Sequence, residues 1–292
     1  MTPAALLASA VGYGIADFSG GFATRSVSAS RVAAASQTWG LLLLVPAAVA
    51  GRGSLAPRDA LLGLVAGLAG ALGLVAYFRA LAIGPMGVVS PVAAVIGTLV
   101  PVVAGLGIGE RPPAAATAGI GAAALSVLLA SGSGPLRLGT AERTGIILSV
   151  LAGTGFGAFF VLMHAASGRA GLWPLIAARA ASLALLWALA TRRRPARGGS
   201  STEGTAAGGP AAGGLPFPTR AIVAASGLFD MAANILYVVA VHHGLLSITA
   251  VTVSLYPIVV VVLARLLLRE RLTTRHRAAA VVAVAAAVLI SI

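Results

Sequence analysis

The chain contains an internal repeat. Residues 77–111 align without a gap on residues 237–271, at a constant offset of 160. Identical pairs in this alignment are Tyr77 and Tyr237, Ala80 and Ala240, Gly84 and Gly244, Glu110 and Glu270, and Arg111 and Arg271. Both copies lie among long apolar runs. Repeated blocks of membrane helices are typical of transporters, in which two similar halves move about a central site.

The composition identifies lipid as the solvent of this chain. Hydrophobic residues make up 59% of the sequence, charged residues only 9%, and the mean hydropathy is +1.00. Soluble domains carry about 25% charged residues, so this chain has too few to cover a water-facing surface. The absence of cysteine excludes disulfides and thiolate metal sites.

The net charge of +13 does not indicate a nucleic-acid partner, because the arginines are scattered through the connections between apolar runs. Membrane proteins normally carry their positive charge there. No cleavable signal peptide is predicted, since the first basic residue is Arg25. The sequence also predicts no cofactor.

Ten apolar runs reach the roughly 20 residues that span a bilayer. They cover 4–22, 31–50, 59–83, 87–108, 113–131, 144–165, 171–190, 219–242, 246–268 and 276–292. The predicted fold is therefore an all-α membrane protein with ten transmembrane helices. The segment 191–218 is rich in Arg, Gly, Ala, Ser and Pro, and it is predicted to be a flexible loop.

Ten spans divide into two repeats of five, at residues 1–131 and 144–292. Because five is odd, the second repeat must cross the bilayer in the opposite sense, which predicts two inverted five-helix repeats. The first spans of the two halves also match at an offset of 141. There, Gly12, Gly14 and Phe18 correspond to Gly153, Gly155 and Phe159.

The fourth span of each half ends in a similar motif, Gly109-Glu110-Arg111 and Arg269-Glu270-Arg271. With these motifs, the two five-helix halves and the stretch 13–18 (YGIADF), the chain resembles the EamA-type transporters of the drug/metabolite transporter superfamily. The resemblance implies export, or sometimes uptake, of small metabolites such as amino acids. It also implies the bacterial inner membrane and cytoplasmic termini.

Asp230 is the clearest candidate site residue, because it lies near the middle of the eighth span. A charged side chain at that depth is costly and usually faces a cavity. Asn234 and Tyr237 follow at i+4 and i+7 on the same face. The alternative is a helix-packing network in which Asp230 is tied to Asn234 or to an arginine.

Asp17 in the first span, with Tyr13 one turn before it, is a second candidate. The alternative is a carboxylate that reaches the headgroups. Arg179 in the seventh span is a candidate partner for either acid or for a substrate carboxylate.

Further substrate-binding candidates are Trp39, Tyr77, Thr252 and Tyr256. Thr252 and Tyr256 share a face of the ninth span just before Pro257, and a proline exposes backbone carbonyls to a cavity. The alternative is a structural role, in which the hydroxyls donate to backbone carbonyls of their own helix.

Signals of an enzyme are absent: the sequence holds no His-Glu-x-x-His motif and no phosphate-binding loop. The favoured reading is a secondary transporter, driven by an ion gradient or by downhill flow of its substrate. An intramembrane lipid-modifying enzyme and a passive channel are the alternatives. The fifth and tenth spans are almost purely apolar, so we expect them at the periphery or in a homodimer contact.

Membrane orientation gives the first testable prediction. Connections after spans one, five, seven and nine hold thirteen arginines, and the opposite side, with both termini, holds four. By the positive-inside rule both termini then lie outside, against the family resemblance. If charge decides, a reporter active only in the cytoplasm will be active in the 191–218 loop and silent at the C-terminus. The reverse pattern would show that family topology overrides the arginine count.

Overall fold

The computed structural model describes residues 3–51, 53–107, 140–191, 217–242, 256–269 and 274–291, with a few residues between 114 and 125. This described part is helical, with nine α-helices and one short 3-10 helix, Gly168–Ala170. The α-helices are α1 (Pro3–Ala23), α2 (Ala29–Ala50), α3 (Pro57–Ile83), α4 (Met86–Gly107), α5 (Thr140–Ala165), α6 (Trp173–Thr191), α7 (Phe217–His242), α8 (Tyr256–Leu267) and α9 (Thr274–Ser291).

These helices follow the predicted spans closely. Helices α1–α4 match spans one to four, and α5–α9 match spans six to ten; most of the fifth span and residues 246–255 of the ninth lie outside the described residues. Among the described residues, five helices are long and apolar enough to cross a membrane, namely α2, α3, α5, α6 and α7. The prediction of a multi-pass, all-helical membrane protein is confirmed at this level.

Eight helices form a closed ring by their contacts. Going round, α1 packs on α7, α7 on α2, α2 on α6, α6 on α3, α3 on α5, α5 on α4, α4 on α8, and α8 on α1. Helices from the two sequence halves alternate all the way round this ring, and α9 packs outside it on α4. The ring therefore consists of the eight spans that carry the intramembrane polar residues.

The contacts of the two halves are equivalent. Helix α3 packs on α5 and α6 as its repeat partner α7 packs on α1 and α2, and α4 packs on α5 as α8 packs on α1. Each contact round the ring therefore joins a helix of one half to a helix of the other, so both halves are needed to form the ring.

Glycines allow the closest helix crossings, because a Cβ at these positions would overlap a backbone carbonyl. At Gly227 of α7 the carbonyl belongs to Ser36 of α2, and at Gly67 of α3 it belongs to Ala178 of α6. The pairing is consistent with the repeat, since Gly67 and Gly227 are separated by the offset of 160.

The same contacts correct the offset of the first spans. Gly155 lies against the Ala69 carbonyl and Gly73 of α3, and Gly12 lies against the carbonyl of Phe229 and Ala233 of α7. Phe229 and Ala233 are the repeat partners of Ala69 and Gly73. Gly12 therefore corresponds in packing to Gly155, an offset of 143 and not 141. The glycine spacing repeats every two residues here, so the sequence pattern fits both offsets.

At one end of the bundle, α1 contacts α3 across the ring. Gly20 lies against the Phe78 ring and Gly21 against Leu81. The Thr24 hydroxyl donates to the Phe78 carbonyl at 3.1 Å, and also to Gly21 of its own helix. This contact brings together the ends of α1 and α3 that share one face of the bundle.

At the opposite end, the α2–α3 connection is tied to the α5–α6 connection. The Ser167 amide donates to Asp59 Oδ1 at 2.9 Å, and the Ser54 amide donates to the Arg169 carbonyl at 3.1 Å. Asp59 is buried at the start of α3. These bonds join helices that are already neighbours in the ring and do not cross it.

The glycine crossings predict a difference between two matched substitutions. Gly227→Ala places a methyl on the Ser36 carbonyl, so α2 and α7 must separate, and we expect a loss of about 1–3 kcal/mol in the free energy of unfolding. Gly145→Ala, in α5, meets only ordinary contact, 3.8 Å from the Gly84 Cα, and gains up to about 1 kcal/mol from helix propensity. Thermal unfolding in detergent measures both; equal melting temperatures would contradict the crossing.

Candidate functional site

A cluster of polar and aromatic side chains lies inside the ring of helices. It draws residues from α1, α3, α4, α6, α7 and α8, and its members are Tyr13, Asp17, Tyr77, Ser90, Arg179, Asp230, Asn234, Tyr237 and Tyr256. Most are buried, although Asp17 and Asp230 keep intermediate exposure. The cluster holds most of the residues that the sequence singled out.

Asp230 is held between a cation and an amide. Arg179 Nη2 donates to Asp230 Oδ2 at 3.2 Å, and Asn234 Nδ2 donates to Asp230 Oδ1 at 3.1 Å. The Asn234 amide also donates to the Asp230 carbonyl oxygen, one turn back along α7, at 2.8 Å. Both partners expected for Asp230 are therefore present, and Arg179 pairs with Asp230.

Further polar contacts lie next to Arg179. Ser182, one turn along α6, donates to the Arg179 carbonyl at 3.1 Å and contacts Gln37 Oε1 on α2. Arg179 Nη2 also lies 3.8 Å from the Met231 sulfur. Sequence reasoning missed Ser182, although its i+3 spacing from Arg179 places it on the same helix face.

Asp17 is surrounded by tyrosines. Its carboxyl interacts with the Tyr77 hydroxyl and, through space, with Tyr13 and Tyr256, and Ser90 lies next to Tyr77 and Tyr256. By distance and angle, the hydroxyls of Tyr13, Tyr77 and Ser90 make no hydrogen bond to another described residue. Buried hydroxyls without partners are uncommon and indicate a place where a polar group binds.

Aromatic rings line the rest of the cluster. The Tyr13 and Tyr256 ring centroids are 6.4 Å apart, those of Tyr77 and Phe156 are 5.5 Å apart, and those of Phe160 and Tyr237 are 4.7 Å apart. Phe156 and Phe160 were not predicted as site residues. Each stands at an offset of 143 from a predicted one, Tyr13 and Asp17 respectively.

The cluster is symmetric in shape but not in chemistry. Asp17 faces Tyr77 between α1 and α3, and the equivalent pair between α5 and α7 is Phe160 and Tyr237. A carboxylate on one side of the site is thus replaced by a phenyl ring on the other.

One predicted residue lies apart from the cluster, and another lies outside the described residues. Trp39 of α2 lies against the exposed Arg220, whose guanidinium carbon is 5.9 Å from the Trp39 ring centroid, near the start of α7. Thr252 lies outside the described residues. Within the described ranges, no group of three metal-ligating side chains occurs.

Comparison with known proteins then identifies the family. The sequence profile of the EamA-like transporter family matches residues 143–292. The chain belongs to this family. The match covers about half of the chain, and the family consists of membrane transporters.

Solved structures support the fold alone. One crystal structure, titled only as that of a protein, aligns with 97% of this chain and 97% of its own, with a TM-score of 0.63 and 16% sequence identity. A search of curated proteins finds no match. The family assignment therefore establishes a multi-pass membrane transporter of the drug/metabolite type, and the substrate has to be argued from the site.

The ion pair predicts strong coupling between Arg179 and Asp230. Removing one partner of a buried pair leaves an uncompensated charge, so we expect Arg179→Gln to cost about 3 kcal/mol in unfolding free energy. Adding Asp230→Asn to that variant should recover part of this loss. Arg79→Gln is the matched control, since Arg79 is an exposed arginine on α3. Additive losses in a thermal-unfolding cycle would mean that the two side chains act independently.

Proposed function

We propose that the protein is a secondary transporter that exports a small polar or amphipathic metabolite, such as an amino acid or a related compound. The observation that carries the proposal is the closed ring of eight helices around a polar and aromatic cluster, in a member of the EamA-like family. Polar groups at mid-membrane are retained where a substrate or ion passes.

Alternating access of two inverted five-helix repeats, 1–131 and 144–292, is the proposed mechanism. The equivalent contacts of the halves support it, as does the odd number of spans in each half. The closure of one end by α1 and α3 supports it further, because α5 and α7 make no comparably extensive contact among the described residues. Exchanging these two arrangements would close the other end and open the first.

The proposed substrate-binding residues are those of the cluster that the sequence selected. These are Tyr13, Asp17, Tyr77, Arg179, Asp230, Asn234, Tyr237 and Tyr256. Trp39 and Thr252 stay predictions. Arg179 is 5% exposed and paired, whereas the Asp230 side chain is 30% exposed, so the carboxylate is the more accessible member of the pair.

The proposed location is the bacterial inner membrane, with the bilayer as the environment of α1–α9. The outer surfaces of α2 and α3 expose many large apolar side chains, among them Leu42, Val49, Leu61 and Leu72, as lipid-facing helices do. A homodimer through the tenth span, which lies outside the ring as α9, is part of the same proposal.

The role of Asp230 is tested in liposomes that contain the purified protein. We propose that Asp230 couples transport to protons by taking a proton on one side and releasing it on the other. Asp230→Asn keeps the size and removes the titration. The variant should fold and bind substrate, lose transport driven by a pH gradient, and keep substrate exchange, which needs no net proton movement.

The results with Asp230→Asn distinguish a role of Asp230 in proton coupling from a role in helix packing. The variant leaves Arg179 without its carboxylate partner, so a lower melting temperature is expected under either role. If Asp230 only holds the bundle together, the pH dependence of the remaining transport will be unchanged. Unaltered pH-driven transport in a stable variant would remove Asp230 from the mechanism, and Asp17 would be tested next. In a passive channel an internal unlabelled pool would not accelerate the uptake of labelled substrate, and an intramembrane enzyme would convert the substrate without moving it.

A further inference from the structure

We infer that the turn between α8 and α9 binds the headgroup of an anionic phospholipid, whose acyl chain lies along the outer face of α9. This lipid site is separate from the polar cluster inside the ring and does not depend on which substrate the protein carries. Three observations support it: a patch of exposed arginines, a groove that changes from polar to apolar along α9, and an arginine in a backbone conformation that favours glycine.

The exposed arginines at this turn are Arg265, Arg269 and Arg277. Arg265 lies in the last turn of α8, Arg269 lies two residues after the end of that helix, and Arg277 lies in the first turn of α9. None of the three forms an ion pair among the described residues. From 265 to 277 the sequence holds five arginines and one acid, Glu270. This excess of positive charge at the end of a membrane helix attracts anionic headgroups.

A shallow groove runs from the arginines along α9. Its volume is about 470 Å³, and it is lined by Thr274, Arg277, Ala278, Val281 and Val282. Arg277 Nη2 donates to the Thr274 hydroxyl oxygen at 3.2 Å, which holds the guanidinium at the polar end of the groove. Because a helix rises 1.5 Å per residue, Val281 lies about 10 Å further along α9 than Thr274. A phospholipid shows the same order, with its phosphate at the membrane surface and its hydrocarbon deeper.

The apolar end of the groove favours a lipid over a soluble anion. Helix α9 packs on α4 outside the ring, and Val281 is 69% exposed. A phosphate ion from water would neutralise the arginines and leave the valines uncovered, whereas an acyl chain covers them. An anionic phospholipid therefore matches both ends of the groove.

The backbone of Arg269 gives independent support. Its φ is 52°, in the left-handed region that glycine adopts freely and that L side chains rarely adopt. A glycine, Gly109, stands at the equivalent place in the first copy of the repeat. The second half therefore has an arginine where glycine would be the more stable residue, which indicates a use for the side chain. Contact with a phosphate is the use that the neighbouring arginines suit.

Two lipids with the same acyl chains test the site in the full-length protein. Phosphatidylglycerol is anionic, and phosphatidylcholine carries no net charge. Each is titrated into the protein in a neutral detergent, and its apparent affinity is obtained from the rise in melting temperature, since a ligand stabilises the state that it binds. We expect phosphatidylglycerol to bind at least about tenfold more tightly, because each arginine near the headgroup adds to the attraction. Equal affinities would overturn the site.

Matched variants locate the preference at the α8–α9 turn. Arg277→Gln should weaken phosphatidylglycerol binding about fivefold, the contribution of one arginine near a membrane surface, and leave phosphatidylcholine binding unchanged. Arg58→Gln is the control, because Arg58 is an exposed arginine in the first turn of α3 and also forms no ion pair among the described residues. Equal losses in the two variants would mean that anionic lipids respond to the overall positive charge, and would overturn the site.

Arg269→Gly separates the contact with lipid from the strain of the backbone. Glycine removes the strain of the left-handed conformation, so the melting temperature without added lipid should rise by about 2–4 °C. The same variant should bind phosphatidylglycerol about fivefold more weakly. A more stable variant with unchanged affinity would overturn the role of Arg269 in lipid binding.

Soluble anions test whether the acyl chain is needed. Glycerol 1-phosphate carries a phosphate without hydrocarbon, and it should not raise the melting temperature at concentrations where phosphatidylglycerol has reached saturation. Equal stabilisation by glycerol 1-phosphate or by inorganic phosphate would show that the arginines bind any phosphate, and would overturn the assignment to a lipid.

Discussion

The ion pair between Arg179 and Asp230 is the interaction on which the interior of this protein depends. Both groups lie in apolar helices of the ring, where an unpaired charge costs several kcal/mol. The pair ties α6 to α7, Asn234 donates to the Asp230 carboxylate, and Ser182 donates to the backbone carbonyl of Arg179. Because α2 lies between these helices in the ring and bonds to Ser182 through Gln37, the same network holds three neighbouring helices in register.

The helix crossings are equivalent in the two halves, whereas the polar side chains of the site are not. The close crossings repeat between the halves, as Gly67 against Ala178 and Gly227 against Ser36 illustrate. The polar chemistry does not repeat: Gly70 stands at the position of Asp230 and Phe160 at the position of Asp17. Backbone contacts at glycine tolerate no side chain, so they keep the helices in equivalent positions. The interior side chains are free of that constraint and can give the substrate a defined orientation.

The contacts at the ends of the ring are separate from the buried ion pair. The α1–α3 contact closes one end of the ring through Gly20, Gly21 and Thr24, while the ion pair lies deeper, between other helices. Under the proposed mechanism, closure at the ends can therefore change without breaking the buried pair. The Asp59 bond to Ser167 ties helices that stay neighbours in the ring, which suits a rigid contact and not a moving one.

The class of the molecule follows from the sequence, because the apolar runs, the offset of 160 and the charge content lead to repeated membrane helices in lipid. The sequence also indicates Asp230, Asn234 and Tyr237, since helical spacing places them on one face whatever the packing. The pairing of Arg179 with Asp230, and not with Asp17, depends on the packing of α6 near α7, two helices that are separated in sequence. The structure also places Trp39 away from the cluster and Phe156 and Phe160 within it. The helix contacts give an offset of 143 for the first spans of the two halves. Contacts between distant helices depend on crossing points, and a local pattern does not encode them.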